Sequence, residues 1–300
     1  MARHKERMTE ALWAYAFIAP TALGLGLFYL WPVLQTAYFS FTEWGAFGGH
    51  EWSGVDNYVR LASDPELGRA LLNTFTYTAL GLLSIPLAIV FAALLNRRMR
   101  GVGVYRTIFF LPYVTMPVAV AMVWRWLYNG DYGLINYLLS LVGVDGPNWI
   151  ADPGTALYAL VVIGIWSSIG YNMIILLAGM QSIPAEYYEA AALDGAGPVR
   201  QFLRITVPLL SPTAFFVSVI SVIGSLQLFD LVFVIAGSGA SARANPAFPR
   251  LQTVVQLFYD RAFVTNDRGY AAAIVMLLLL IIVVLTAVQF RLQRRWVHYA

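Results

Sequence analysis

Cysteine is absent from the 300 residues, so no disulfide staples the fold and no thiolate holds a metal. Lysine occurs once, as Lys5, with no glycine-rich stretch before it. The phosphate-binding loop G-x-x-x-x-G-K-[ST] is therefore missing, which excludes ATP hydrolysis by this polypeptide itself. The three histidines, His4, His50 and His298, sit near the ends or in a connecting stretch. That excludes a buried histidine metal site and leaves no nucleophile–base pair inside the apolar runs. Charge is scarce as well. Charged residues make up 12% and apolar residues 59%, against roughly 25% and 45–50% in soluble domains. With a mean hydropathy of +0.67, this is the composition of an integral membrane protein.

What is present is a set of long apolar runs. Six are long enough to cross a bilayer, at about 20 residues each: 11–39, 70–95, 104–128, 155–180, 205–236 and 270–290. Run length points to helices, because barrel strands would alternate over only ~10 residues. The expected fold is all-α, with six transmembrane helices. Arg3, Lys5 and Arg7 precede the first run as in a secretory signal, but the run is too long and ends in no small-residue cleavage site. It reads as a retained helix.

Orientation follows from the Lys/Arg balance. With the N-terminus inside, Arg3, Lys5, Arg7, Arg97, Arg98, Arg100, Arg106, Arg200, Arg204, Arg291, Arg294 and Arg295 are cytoplasmic, twelve of nineteen basic residues. Both termini are then inside, with cytoplasmic ends at 1–10 and 291–300 around a transmembrane domain over 11–290. Net charge +3 is accounted for by these inner-face arginines without nucleic acid. The stretches 40–69, 129–154 and 237–269 become outer loops, each too short to hold a core of its own. Seven of the fourteen prolines lie within or at the edges of spans, where each removes a backbone donor and bends its helix.

Titrating groups inside the runs are few: Asp230 and Arg125, each near an outer end. That is thin equipment for a proton relay, so energy is expected from a partner. Polar residues do cluster. Ser218, Ser221 and Ser225 lie on one helical face of the fifth run, followed by Gln227 and Asp230. In the fourth, Ser167, Ser168, Tyr171 and Asn172 gather around Gly164 and Gly170. Hydroxyls and amides beside aromatic rings suit a polyhydroxylated solute. They equally suit helix–helix contact, where serine and glycine are common.

Between the fourth and fifth runs lies a polar insert, residues 182–208. It holds an alanine-rich helix from Tyr187 to Leu193, an Asp194–Gly195 turn and a second start at Gly197–Pro198. Ser182 is expected to cap that helix, with Pro184 in its first turn and Glu186 favourable to its dipole. Small side chains there allow close approach by another protein. The alternative, a helix lying on lipid, is disfavoured by Glu186, Glu189 and Asp194, which an anionic leaflet repels.

Within this insert stand Glu189-Ala190-Ala191, then Gly195, Ile205 and Val207-Pro208. This resembles the E-A-A, three residues, Gly, nine residues, Ile, one residue, Leu-Pro element of ABC importer permeases, with Val in place of Leu. The likeness covers almost the whole chain. The stretches IAPTALGLGLFYLWPV, RTIFFLPYVTMPVAVAMVWRW and LQLFDLVFVI resemble the carbohydrate-uptake branch, the maltose-type first permease subunit and the related glycerol-phosphate permease. The usual Thr-Gly-Gly-Gly-Pro after the fifth span is altered to Ala236-Gly237-Ser238-Gly239-Ala240.

The resemblance implies a second, homologous permease, two cytoplasmic ATPase subunits and an extracellular solute-binding protein. ATP and magnesium would sit on the ATPases, with no cofactor on this chain. Glu189, Ala190, Ala191, Asp194, Gly195, Ile205 and Pro208 would couple the ATPase to the helices. Gly164, Ser167, Ser168, Tyr171, Ser221, Ser225 and Leu228 match solute-lining positions, beside the polar Asn172, Gln227 and Asp230. The expected function is a sugar-importing permease subunit in the plasma membrane of a bacterium or archaeon. A glycerol-phosphate importer and an ion-coupled secondary transporter are the rivals.

Overall fold

A computed structural model describes residues 2–44, 49–96, 100–237 and 239–297. Arg97, Arg98, Ser238 and His298 lie outside the described residues. The chain is 77% helical, and among the described residues the departure from an all-α fold is a hairpin pairing Thr42–Trp44 antiparallel with His50–Trp52.

Among the described residues, five helices are long and apolar enough to cross a membrane: Trp13–Phe39, Pro65–Leu95, Ala156–Gln181, Ser211–Ala236 and Arg268–Arg295. The expected third span is not one straight helix. Val102–Val114 and Pro117–Leu127 meet at 96°, and counting the pair as one span gives six. The break falls at Thr115 and Met116, both extended at ψ 140° and 128°. Pro117 follows, and the residue before a proline is pushed out of the helical region. The second long helix starts at Pro65 rather than Ala70, capped by the Asp64 carboxylate accepting from the Glu66 N–H at 2.8 Å. The fifth starts at Ser211 rather than Ile205 and unwinds at Gln227–Phe229 before resuming at Asp230.

Two π-turns, Gly26–Leu30 and Phe202–Thr206, each end two residues before a proline, Pro32 and Pro208. Proline offers no N–H, so the helix ahead of it widens and the preceding N–H reaches one residue further back. Val207 accordingly donates to the Phe202 carbonyl.

The chain divides into two compact units. The first comprises Met1–Ser63 with Arg261–Leu277. Buried Asn57 donates from Nδ2 to the carbonyls of Ser40 at 3.1 Å and Thr42 at 2.9 Å. Arg60 pairs with Asp267 at 2.6 Å and lies over the ring of fully buried Tyr270.

The second unit is Asp64–Asp260 with Leu278–Ala300. Its centre is the helix Ala156–Gln181, flanked by the second, third and fifth helices. Lipid tails are as apolar as leucine, so packing here rests on close contact rather than on exclusion of water. Small residues permit it. A Cβ on Gly170 would overlap the Phe109 carbonyl, and one on Gly179 would collide with the Thr213 side chain. Ala88 and Ala92 are fully buried against Met173, Leu176 and Met180.

Candidate functional site

Two places in the second unit gather the residues that the sequence singles out. One is a cavity of about 220 Å³ between the second, third, fourth and fifth helices. It brings together six of the expected pathway residues: Gly164, Ser168, Tyr171, Asn172, Ser221 and Ser225. The fourth and fifth helices present them on facing sides. Asn172 is 2% exposed and donates from Nδ2 to Ser84 Oγ at 3.2 Å.

The other four are placed elsewhere. Ser167 is half-buried but does not line the cavity. Gln227 and Asp230 are exposed, at the break in the fifth helix and the start of the segment beyond it. Leu228 packs on the apolar cluster around Leu160 and Val232, and its carbonyl accepts from Thr253 Oγ1 at 3.0 Å. Once the helix unwinds at Gln227, the i, i+3, i+7 face of the serine stripe no longer continues. Ser218, the first residue of that stripe, turns its hydroxyl back to the Phe215 carbonyl at 2.7 Å.

Several lining residues escaped the sequence reading. Tyr77, Gly81 and Ser84 enter from the second helix, spaced i, i+4 and i+7 on one face of an apolar run. That spacing was a legible signal. Tyr113 enters from the third helix, two residues before its bend, and stacks on Tyr171 with ring centres 4.3 Å apart and planes 15° from parallel. Ile220 and Gly224 flank the expected serines. Tyr77 is 6% exposed, and a Cβ on Gly164 would overlap its hydroxyl. Glycine at 164 is thus what lets the Tyr77 side chain reach the cavity.

The second place is the insert after the fourth helix. Its helix runs Ala185–Leu193, two residues longer at its start than the sequence suggested. Pro184 is the N-cap, and no side chain caps the helix. Ser182 therefore does not cap it. It ends the fourth helix instead, its hydroxyl bonding the Gly179 carbonyl at 2.8 Å.

The C-terminal end is closed tightly. Gly195 sits at φ +75°, its N–H bonds the Ala192 carbonyl at 3.0 Å, and the Ala196 N–H bonds the Ala191 carbonyl at 2.9 Å. This is a Schellman turn, which requires a left-handed residue at that position. The insert is anchored from behind. Tyr188 Oη lies 3.0 Å from Thr206 Oγ1, and Gln201 Nε2 donates to the Ala196 carbonyl at 2.9 Å. Outward it presents Glu186, Glu189 and Asp194, all exposed and in no ion pair with the described residues. Leu193 is 90% exposed and Val199 73%. Ala190 is exposed and Ala191 half-buried, while Ile205 and Pro208 are half-buried in and after the π-turn. A rigid, acidic and apolar projection of this kind is suited to seating in another protein.

Residues 84–298 match the family of binding-protein-dependent transport system inner membrane components. A probable ABC transporter permease of Bacillus subtilis is 35% identical over 303 residues, covering 100% of this chain and 96% of the relative. The trehalose/maltose transport system permease of Thermococcus litoralis is 31% identical, covering 97% and 96%. The sn-glycerol-3-phosphate transport system permease of Salmonella typhimurium is 32% identical, covering 95% of each chain. In fold, the chain resembles a subunit of a bacterial ABC transporter that imports the acidic polysaccharide alginate. The TM-score is 0.85 at 23% identity, covering 98% of this chain and 99% of the other. With a family match over most of its length and full-length relatives above 30% identity, the chain belongs to the binding-protein-dependent transport system inner membrane components, the permeases of ABC transporters.

Proposed function

We propose that this chain is the membrane-spanning subunit of an ATP-driven importer that moves a sugar or oligosaccharide into the cell by alternating access. The observation that carries the reading is the Schellman-closed insert, which holds Glu189 exposed on a helix anchored through Tyr188 to the π-turn that leads into the fifth helix. A push on such a rigid body passes directly into a membrane helix. The cavity at the meeting point of four helices supplies a place for solute. Its volume of about 220 Å³ falls below the roughly 300–1,000 Å³ of a complete small-molecule site. That fits half of a site completed by a second, homologous permease.

In this reading there are six spans, with the bent pair counted as one and both termini in the cytoplasm. The transmembrane domain covers 11–290 and the insert over 182–208 faces two cytoplasmic ATPase subunits. ATP and magnesium bind to those subunits and not to this chain. An extracellular solute-binding protein delivers the sugar, and the assembly sits in the plasma membrane of a bacterium or archaeon. Closure of the ATPases biases the permease pair from inward- to outward-facing.

The test is reconstitution with and without the ATPase subunits, measuring solute uptake into liposomes. Uptake that needs both the ATPase and ATP is expected. Uptake driven by an ion gradient through this chain alone would overturn the proposal.

A further inference from the structure

The loop joining the third and fourth spans, 128–155, holds Asp131, Asp145 and Asp152 but no lysine or arginine. Residues 132–144 within it carry no charge, and Leu134–Ser140 forms a short helix. Leu134, Tyr137, Leu138 and Leu141 recur at i, i+3, i+4 and i+7, the spacing of one helical face. Such an apolar face ordinarily turns towards the core. Here Ile135 does so, packing on the cluster around Leu160, while the four-residue face points outward. Val142 and Val144 extend the patch, and exposure runs from 41% at Leu134 to 74% at Val142.

The presentation is rigid. Gly143 sits at φ +76°, its N–H bonds the Ser140 carbonyl, and the Val144 N–H bonds the Leu139 carbonyl, both at 3.0 Å. Half-buried Asn136 ties the helix to the carbonyls of Gly130, Gly146 and Pro147. An apolar patch braced in the open marks an interface.

Its surroundings say what covers it. Trp126 stands in the last turn of the helix Pro117–Leu127, on one face with exposed Met122 and Val123. It also lines a pocket of about 410 Å³ together with Tyr132, Leu134 and Tyr137. The patch is thus continuous with an apolar side of a span. Tryptophan and tyrosine, apolar with one polar tip, are the residues of the membrane–water boundary.

The same pocket is acidic. Asp131 and Asp145 line it, no basic residue does, and neither carboxylate is in an ion pair with another described residue. Two carboxylates repel the phosphate of an anionic lipid. They suit a primary ammonium, which gives them charge-assisted hydrogen bonds and is drawn to the faces of Trp126, Tyr132 and Tyr137. A choline group has no N–H to donate.

We propose that the face from Leu134 to Val144 docks in the bilayer surface and that the pocket takes the ammonium of a phosphatidylethanolamine-type headgroup. The chain has no cysteine, so Leu138→Cys and, independently, Val142→Cys each place a single bimane label on it. Fluorescence is read from the assembled importer in nanodiscs of equal parts phosphatidylethanolamine and phosphatidylglycerol, with one lipid or the other brominated. Brominated phosphatidylethanolamine should quench about twofold to fivefold more strongly, the worth of an exposed ion pair. Combining Asp131→Asn with Asp145→Asn should make the two lipids quench equally, with quenching itself retained. Phosphatidylcholine in place of phosphatidylethanolamine should also lose the preference.

Quenching by aqueous iodide but by neither lipid would overturn the proposal. So would a label shielded from lipid and iodide alike once the partner subunits are present, since protein would then cover the face. Equal quenching by both lipids with the aspartates in place would overturn the headgroup assignment. The labels report lipid contact whether or not the chain transports, so lost ATP-driven uptake would count against the importer reading alone.

Discussion

Replacing Gly195 with alanine adds one methyl group to a residue held at φ +75°. The new Cβ would meet nothing within 4 Å, so no steric clash with the surroundings contributes. The cost is the left-handed backbone alone, about 1–2 kcal/mol for an L residue. Against it stand the two turn-closing bonds, at 3.0 and 2.9 Å, each worth about 1 kcal/mol net. The two sides nearly balance. Alanine should therefore leave the helix Ala185–Leu193 intact while opening the turn in a large fraction of molecules. Asparagine tolerates the left-handed region better and should restore much of the closed population. The assay is solute-stimulated ATP hydrolysis by the reconstituted complex, with purification yield as a check on folding. A loss of about fivefold or more in stimulation is expected for Gly195→Ala, with at least half of it recovered by Gly195→Asn. Stimulation equal to wild type in the alanine variant, or an asparagine variant no better than alanine, would refute the turn argument.

Other perturbations probe the rest of the structure. Gly164→Ala places its Cβ on the Tyr77 hydroxyl and should cost about 1–3 kcal/mol, read as a lower melting temperature in detergent. Pairing it with Tyr77→Phe should recover part of that loss, a coupling visible in a double-mutant cycle. Asn136 donates to the carbonyls of Gly130, Gly146 and Pro147, and its Oδ1 accepts from Trp149 Nε1 at 2.7 Å. Asn136→Ala should cost about 2 kcal/mol or more and speed proteolysis between Asn129 and Gly154.

Asp260 tests pH dependence. Burial pushes its carboxyl above the ordinary range, and Glu66 adds to the rise, while Gln252, Arg243 and Gln256 draw it back. The folded protein thus holds the proton more tightly than the unfolded chain. This favourable contribution is complete below the unfolded value of about 3.9 and is lost as pH rises through the folded value. Asp260→Asn should accordingly melt higher than wild type at pH 7, with the gap closing towards pH 4. A gap independent of pH would count against the burial argument.

The positions of the spans were readable because each needs only a long apolar run, and all six regions carry helix. The bend at Thr115–Met116 was harder to see. Pro20 lies inside the long helix Ala2–Leu25 without a comparable break, so Pro117 alone did not distinguish a kink from a 96° turn. The insert was the most legible part, because an alanine-rich helix, a glycine and a proline act through local backbone geometry. Its start and its cap were misjudged: the helix begins at Ala185, two residues early, and Pro184 holds the N-cap position that Ser182 was expected to fill. The cavity was half legible. Its fourth- and fifth-helix residues stood out as polar clusters, whereas Tyr77 and Tyr113 reach it only through tertiary packing. Their hydroxyls sit in runs that otherwise read as lipid-facing.

The central claim, that force enters the membrane helices through the exposed face of the insert, is tested most directly at Glu189. The measurement is solute transported per ATP hydrolysed by liposomes carrying the Glu189→Ala complex. Membrane insertion and yield should match wild type, because the Glu189 side chain bonds none of the described residues, while transport per ATP falls at least tenfold. Undiminished transport per ATP in that variant would contradict the claim.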